Sequence, residues 1–425
     1  MTVTETFGSL SNREIQERVV DWLRENLPAG WIEAVDDGDG PTLEALRRQL
    51  DTTAFQVALG KSGYAAPTWP REYYGLSLSQ EQSHAIKETL TRYRVPRTFD
   101  FVGKTLGAAT ILQWGTEEQK QKYLYGLATG RDFWCQLFSE PGSGSDLASL
   151  ATRAVRDGDV WIVNGQKVWS SGAHMADLGL LLARTDPDQP KHRGITYFIL
   201  DMHAPGVEVR PLKQMTGSAE FNEVFFKDVA VPDAMRLGPL NEGWRVSTTT
   251  LMHERSGLSG ARHVGPGHVD RIIEDAKDNG KWNDATMRDR LIKLLTEERA
   301  LQMTNLRGHS SREAGKPPGP EGSITKLFLS TLSQRIANAA MDVRGLNALV
   351  SAEEAIDDRG MYELMTHGGR YTDLMVARSF LGSRSHTIQG GTSEIQRNII
   401  GERVLGLPRE PDPWKDRAWK DIPRS

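Results

Sequence analysis

The chain has 425 residues, of which 38% are hydrophobic and 25% charged, and a net charge of -4. That length suffices for two or three domains with a sizeable core, and the mild acidity favours neither nucleic acid nor an anionic membrane as a partner. The single cysteine, Cys135, excludes an intramolecular disulfide; with no signal-like N-terminus and no apolar run approaching bilayer length (about 20 residues), a soluble cytoplasmic protein is expected.

Residues 11–130 read mostly as helix. Ile15, Val19, Trp22 and Leu23 recur at helical spacing and stop at Pro28. A loop is expected over 36–41, then helices over 42–59 and 79–93. Thr116 and Gln119 form a capping box that opens a helix ending near Leu127. The pattern then changes to short strands: 151–156, 160–163, 178–183, 195–200, 207–209 and 222–231. Asp157-Gly158 marks a turn, and Asn164-Gly165 is the strongest hairpin signal, because both residues tolerate positive φ. Helix returns over 243–278, 286–311, 324–350, about 353–381 and 393–404, with a break over 315–322. Ile324, Phe328, Leu332, Ile336, Ala339 and Val343 make one apolar stripe. Helices, then strands, then helices imply an α+β chain: an N-terminal helical domain (1–132), a middle β-barrel or sandwich domain (133–240) and a C-terminal four-helix bundle (241–425).

The stretch from Cys135 to Gly172 carries the chemistry. A donor-dense loop, Ser139-Glu-Pro-Gly-Ser-Gly-Ser145, is followed by strands ending in Trp169-Ser170-Ser171. Backbone amides and hydroxyls suit a diphosphate, and a tryptophan suits a flat ring, so the pairing points to a bound flavin. Taken alone, the Gly/Ser cluster reads as a surface turn and Trp169 as a core residue of the β-domain. A dinucleotide fingerprint fails because Gly142-Ser-Gly144 lacks the third glycine, and there is no phosphate loop of the Walker type. The histidines have no metal-ligand spacing, so no metal is expected.

Five segments together resemble the acyl-CoA dehydrogenase family: GTEEQKQKYL, FSEPGSGSDL, NGQKVWSSG, NEVFFKDVAVP with NEGWRV, and GGTSEIQRNIIGERVLGLP. They span about 115–408. The resemblance implies FAD lying between the middle and C-terminal domains. Gln136, Phe138, Ser139, Gly144 and Ser145 would line the flavin and its diphosphate arm, with Ser145 also on the coenzyme A side. Trp169, Ser170 and Ser171 would cover and hydrogen-bond the ring, and Thr392 and Glu394 would lie near the cofactor again. The implied reaction is α,β-dehydrogenation of an acyl-CoA thioester, with an electron-transferring flavoprotein as acceptor and a homotetramer, or a heterotetramer with a paralogue, as the assembly.

The chain departs from the family at the base. The usual glutamate position is Gly390, which cannot abstract a proton. Part of the family places its base on the first helix of the C-terminal domain, immediately before an arginine, and Glu254-Arg255 matches that position. Leu251 lies three residues before Glu254 and Leu258 four after, so the three share a helix face. The ordinary reading of a helical glutamate is a solvated or ion-paired one; with the usual site vacant, Glu254 is the expected base, Arg255 a substrate or helix contact, and the Gly390 N–H a donor to the thioester carbonyl. His253 points about 100° away on the helix and is not the expected base. An Arg-x-x-Phe-Gly cofactor motif is replaced by Ala276-Lys-Asp-Asn-Gly-Lys-Trp-Asn283, and the later Gly-rich contact by Asp342-Val-Arg-Gly345. Residues 25–60 and the Trp/Pro-rich 411–423 stretch read as packing or interface segments. Two alternatives stay open: an acyl-CoA oxidase, and a non-catalytic flavoprotein subunit that partners an active paralogue.

Overall fold

The computed structural model describes residues 7, 10–96, 102–259, 268–313, 321–349 and 373–423. Seven helices come first: α1 (Asn12–Asn26), α2 (Trp31–Asp36), α3 (Gly40–Gln49), α4 (Thr52–Lys61), α5 (Gln80–Arg92), α6 (Ala108–Trp114) and α7 (Glu117–Thr129). A capping box of Ser11 and Glu14 opens α1, which buries Ile15, Val19 and Leu23. The Thr116–Gln119 box opens α7 as its spacing predicts. The single helix expected over 42–59 is instead two. Asp39 accepts from the Thr42 N–H and Asp51 from the Ala54 N–H. Each short carboxylate starts its own helix, which the apolar periodicity does not reveal.

The middle region is a curled seven-stranded sheet of β1 (Trp134–Leu137), β2 (Arg153–Asp157), β3 (Val160–Ser171), β4 (Leu178–Arg184), β5 (Ile195–Asp201), β6 (Val207–Leu212) and β7 (Phe221–Pro232). The order is β1-β4-β2-β3-β7-β6, with β5 antiparallel along β4. β4 is buried on both faces. Leu180 and Leu182 join the core shared with α6 and α7, whereas Leu181 and Ala183 join the core inside the curl; this is the two-residue alternation of a strand.

The expected hairpin turn at Asn164-Gly165 does not form. β3 runs through it, and the β2–β3 turn lies at Gly158–Asp159. The register against β7 shifts between Val163 and Gly165, so the pair makes a bulge. Asn164 and Asp228 hold it: the Asn164 Nδ2 donates to the Asp228 carboxylate at 3.0 Å, and the Asp228 backbone N–H donates to the Asn164 side-chain Oδ1 at 3.0 Å. Gly165 has φ 153°, and an added Cβ would meet Thr152 Oγ1 at 2.5 Å. Asn-Gly is therefore used for close strand approach, and tertiary pairing overrides the local turn preference.

The C-terminal part is helical: α8 (Gly243–Ser259), α9 (His268–Asp278), α10 (Ala285–Glu313), α11 (Glu321–Arg344), α12 (Asp373–Ser383) and α13 (Ser393–Arg403). Within the helix expected over 243–278 the described residues form α8 and α9, and 260–267 lie outside the described residues; so do 315–320 of the expected break and 353–372 of the helix expected over about 353–381. α11 is central, packing on α8, α9, α10, α12 and α13, while α8 also touches α6 and β5 and so links sheet to bundle. Along α11 the expected stripe is buried only from Leu332 onward. Phe328 is exposed, and with Ile324, Leu327, Thr331, Arg397 and Ile400 it lines an open groove of about 370 Å³ between α11 and α13. Among the described residues, no helix is long and apolar enough to cross a membrane.

Candidate active site

The Ser139–Ser145 loop leaves β1 and is fixed from below by a buried ion pair. Lys167 Nζ, fully buried on β3, lies 2.8 Å from Glu140 Oε1 and donates to the Phe138 carbonyl at 2.9 Å. Glu140 also accepts from the N–H groups of Ala151 (2.7 Å) and Thr152 (2.9 Å). Burial pushes the Glu140 carboxyl up, but the Lys167 ammonium together with these donors outweighs it and holds the pKa below the ordinary carboxylate value. The Val168 N–H donates to the Ser139 carbonyl at 2.9 Å, which stitches loop to strand a second time. Above these anchors Gly142, Gly144 and Ser145 are exposed, Ser139 and Gln136 half-buried. The ring of Phe138 is buried and stands edge-on to Tyr197 with centroids 5.7 Å apart, so its backbone, not its ring, belongs to the loop.

Strand β3 delivers Trp169 to the same region. A second register shift against β7 falls between Lys167 and Ser170, and Trp169 there has φ 61°. The resulting kink leaves the indole 59% exposed, edge-on to Phe221 with centroids 5.9 Å apart. Trp169 is thus a surface residue and not part of the β-domain core. Ser171 is exposed on the same side. Ser170 points the other way: it is fully buried, its carbonyl accepts from Asn222 Nδ2 at 2.9 Å, and its hydroxyl has no hydrogen-bond partner. His174 contacts Asn222 Oδ1 at 3.2 Å and braces that corner. An exposed indole beside a loop with exposed Gly142, Gly144 and Ser145 fits a flat ring and a diphosphate, the groups that FAD carries.

The C-terminal residues meet on α8, α11 and the turn before α13. Glu254 is half-buried on α8, while the side chains of Arg255 and Leu258 lie outside the described residues. Leu251 packs against the core shared by sheet and N-terminal helices. On α11, which packs on α8, Lys326 donates to the His386 carbonyl at 2.5 Å and contacts Ser330 Oγ at 3.1 Å. Burial pushes the Lys326 ammonium down, and the nearby Glu254 carboxylate opposes that shift. Ser330 Oγ donates to the same carbonyl at 2.7 Å, and Ser333 Oγ lies 2.8 Å from His386 Nδ1. The 384–389 turn is therefore tied to α11, and it leads into Gly390 (φ 62°) and Gly391 (φ 88°). Gln396 Nε2 donates to the Gly390 carbonyl at 3.3 Å. Thr392 caps α13 by accepting from the Ile395 N–H, and Glu394 is exposed and paired with Arg397 at 3.1 Å.

Glu140, Lys167 and Lys326 were not singled out from sequence. Glu140 sits in the quoted loop and was visible as its first carboxylate. Lys167 and Lys326 give no local sign, because nothing in a strand or helix pattern marks a lysine as buried.

Family models agree with this architecture. The acyl-CoA dehydrogenase N-terminal domain matches residues 10–131, the middle domain 135–229 and the C-terminal domain 241–405. The chain is 40% identical over 354 residues to the acyl-CoA dehydrogenase FadE34 of Mycobacterium tuberculosis, covering 83% of this chain but 46% of that longer protein. It is 36% identical over 399 residues to the acyl-CoA dehydrogenase IpdE1 of the same organism, covering 93% of this chain and 98% of the relative. Among solved structures, the Tcur3481-Tcur3483 steroid ACAD superposes with a TM-score of 0.72 at 27% identity, covering 96% of this chain and 100% of that one. Three matched domains in the right order, and a relative at 36% identity that is covered over 98% of its length, place this chain in the acyl-CoA dehydrogenase family of oxidoreductases.

Proposed function

We propose that the protein catalyses α,β-dehydrogenation of an acyl-CoA thioester, with Glu254 as the base. The observation that carries this reading is the half-buried Glu254 on α8, a helix packed on α11, whose Lys326 feels the Glu254 charge and holds the turn leading to Gly390. FAD, when bound, supplies the acceptor for the hydride that leaves the β-carbon. Ser139, Gly144 and Ser145 hold its diphosphate through backbone and hydroxyl donors, with Gln136 and the Phe138 backbone beneath. Trp169 and Ser171 cover and hydrogen-bond its ring, and Thr392 and Glu394 flank it from α13.

The α-carbon of a thioester is a weak acid, so two groups must act together. The Gly390 N–H hydrogen-bonds the thioester carbonyl and stabilises the charge that develops on its oxygen. Glu254 takes the α-proton, and the Lys326 ammonium is the nearby positive charge on that side of the site. Arg255 contacts the substrate or secures the end of α8.

The assigned divisions are 1–132, 133–240 and 241–425. A bulky acyl group is the substrate class favoured here, supported by the steroid ACAD relative and by a base carried on α8. That relative's two-part designation supports a tetramer built with a paralogue. An electron-transferring flavoprotein as acceptor and a cytoplasmic location complete the reading. The vacant base position at Gly390 favours a second reading, a flavin-binding subunit whose paralogue performs the chemistry.

The test is Glu254→Gln. This variant should retain FAD and bind acyl-CoA, yet lose flavin bleaching by more than about 100-fold, the low end for a missing general base. Near-normal bleaching would remove Glu254 as base. A chain that carries no flavin until a paralogue is added supports the subunit reading, and rapid peroxide formation in air identifies an oxidase.

A further inference from the structure

The segment beyond α13 returns to the middle domain. Pro190 and Ala418 form a β-bridge. The Trp419 N–H donates to the Gln189 carbonyl at 2.9 Å and the Lys420 N–H to the Pro187 carbonyl at 3.1 Å. Lys420 Nζ pairs with Asp188 at 2.5 Å. Trp419 is 8% exposed, and its indole N–H donates to the Ser149 carbonyl at 3.3 Å.

The indole face covers the guanidinium of Arg184 at 4.7 Å. Arg184 is buried and donates to the carbonyls of Ala148 (2.6 Å) and Lys191 (2.9 Å). Lys191 in turn grips both oxygens of Asp146 at 3.0 Å, and Ser149 Oγ donates to Asp146 at 2.5 Å. The stretch 146–149 is thus held from behind by Trp419 and Arg184, while Gly142, Gly144 and Ser145, a few residues earlier, face outward.

We propose that Trp419 is a positioning residue for ligand binding: it backs the Arg184 clamp that fixes the loop whose exposed amides and Ser145 hydroxyl take a diphosphate. This rests on the reading of that loop as a diphosphate site. FAD and coenzyme A both carry the group, so either is a possible occupant and the experiment separates them. A loop of small residues has many conformations, and holding one of them lowers the ordering cost of binding. Trp419 supplies one indole hydrogen bond and a cation–π face, and their loss corresponds to about tenfold in affinity.

The experiment uses the full chain with Trp419→Ala and three probes. FAD release from the flavin-loaded protein is followed by fluorescence, and coenzyme A and pantetheine binding by calorimetry. Release of FAD, weakening of coenzyme A, or both should change by about tenfold, with pantetheine, which lacks the diphosphate, unaffected. Wild-type behaviour with both FAD and coenzyme A overturns the proposal, as does equal weakening of pantetheine, which means general damage. If the alanine variant is insoluble, Trp419→Phe removes the indole donor to Ser149 while keeping an aromatic face, though a smaller one, for Arg184; a change of about threefold is then expected, and no change overturns the proposal. A wild-type chain that takes up neither FAD nor coenzyme A removes the diphosphate reading itself, and this proposal with it.

Discussion

Lys167 Nζ lies 2.8 Å from Glu140 Oε1, and the Lys167 side chain is fully buried. One ion pair therefore joins the start of the donor loop to the strand that presents Trp169 two residues later. Replacing one partner leaves an uncompensated buried charge, whereas replacing both by neutral groups of similar volume is often harmless to stability. Lys167→Met should cost about 3–5 kcal/mol in denaturant unfolding. Glu140→Gln combined with Lys167→Met should recover most of that loss yet still bind FAD weakly, because the loop is no longer tied to β3. If the double variant regains wild-type FAD affinity as well as stability, the pair serves folding alone.

Lys326 touches both halves of the proposed chemistry. Its ammonium feels the Glu254 charge and holds the His386 carbonyl. Among the described residues, the charged or titratable groups that act on it or bond to it are Glu254 from α8 and His386 from the 384–389 turn. Removing a cation beside a carboxylate raises the carboxylate's pKa. In Lys326→Met the acid limb of the flavin-reduction profile should move to higher pH, while Lys326→Arg should restore it. Amide exchange across 384–391 should quicken by about tenfold or more once the tether is cut. An unmoved acid limb in the methionine variant refutes the electrostatic role without touching the assignment of Glu254.

Trp169 is 59% exposed, so its truncation removes little from the core. Trp169→Ala should leave the unfolding midpoint within about 0.5 kcal/mol of wild type. FAD affinity should fall by about tenfold or more, since an aromatic contact with a flat ring is lost. Fluorescence titration of the flavin-free protein measures it.

Asp233 accepts from Trp161 Nε1 at 2.8 Å and from Arg236 Nε at 2.9 Å. Arg236 first and Trp161 second hold its carboxyl at about 2. A depressed carboxylate stabilises the fold above the unfolded value of about 3.9 and loses that contribution as pH falls through the folded one. Asp233→Asn should therefore be less stable at neutral pH, by on the order of 1 kcal/mol after solvent screening. The gap should close between about pH 4 and pH 2. A gap independent of pH would show that the pair is electrostatically idle.

The helices and most strands were legible because their signals are local. Thr116 with Gln119, and the spacing of Ile15, Val19 and Leu23, act within one or two turns. What the sequence hid was set by distant partners. Asn164-Gly165 became a bulge because β7 pairs across it, and Asp51 split a helix whose apolar pattern ran on. The expected stripe on α11 fails at Phe328, where Arg397 and Ile400 leave an open groove. Glu140 with Lys167, 27 residues apart, and Lys326 with His386, 60 apart, are invisible to any periodicity. The proposed roles of Trp169 and Ser145 rest on a donor-rich loop beside an indole, and that of Glu254 on motif likeness; the structure adds the contacts around the loop.

Gly390 and Gly391 are two successive left-handed residues. Any side chain at 390 must enter that backbone at a cost of about 1 kcal/mol or more before it can do chemistry. Glu254 and position 390 are thus not interchangeable addresses for an acid. On the proposed assignment, an acid returned to 390 by a single substitution would sit on a strained main chain, so the two arrangements of the proton acceptor differ in backbone as well as in side chain.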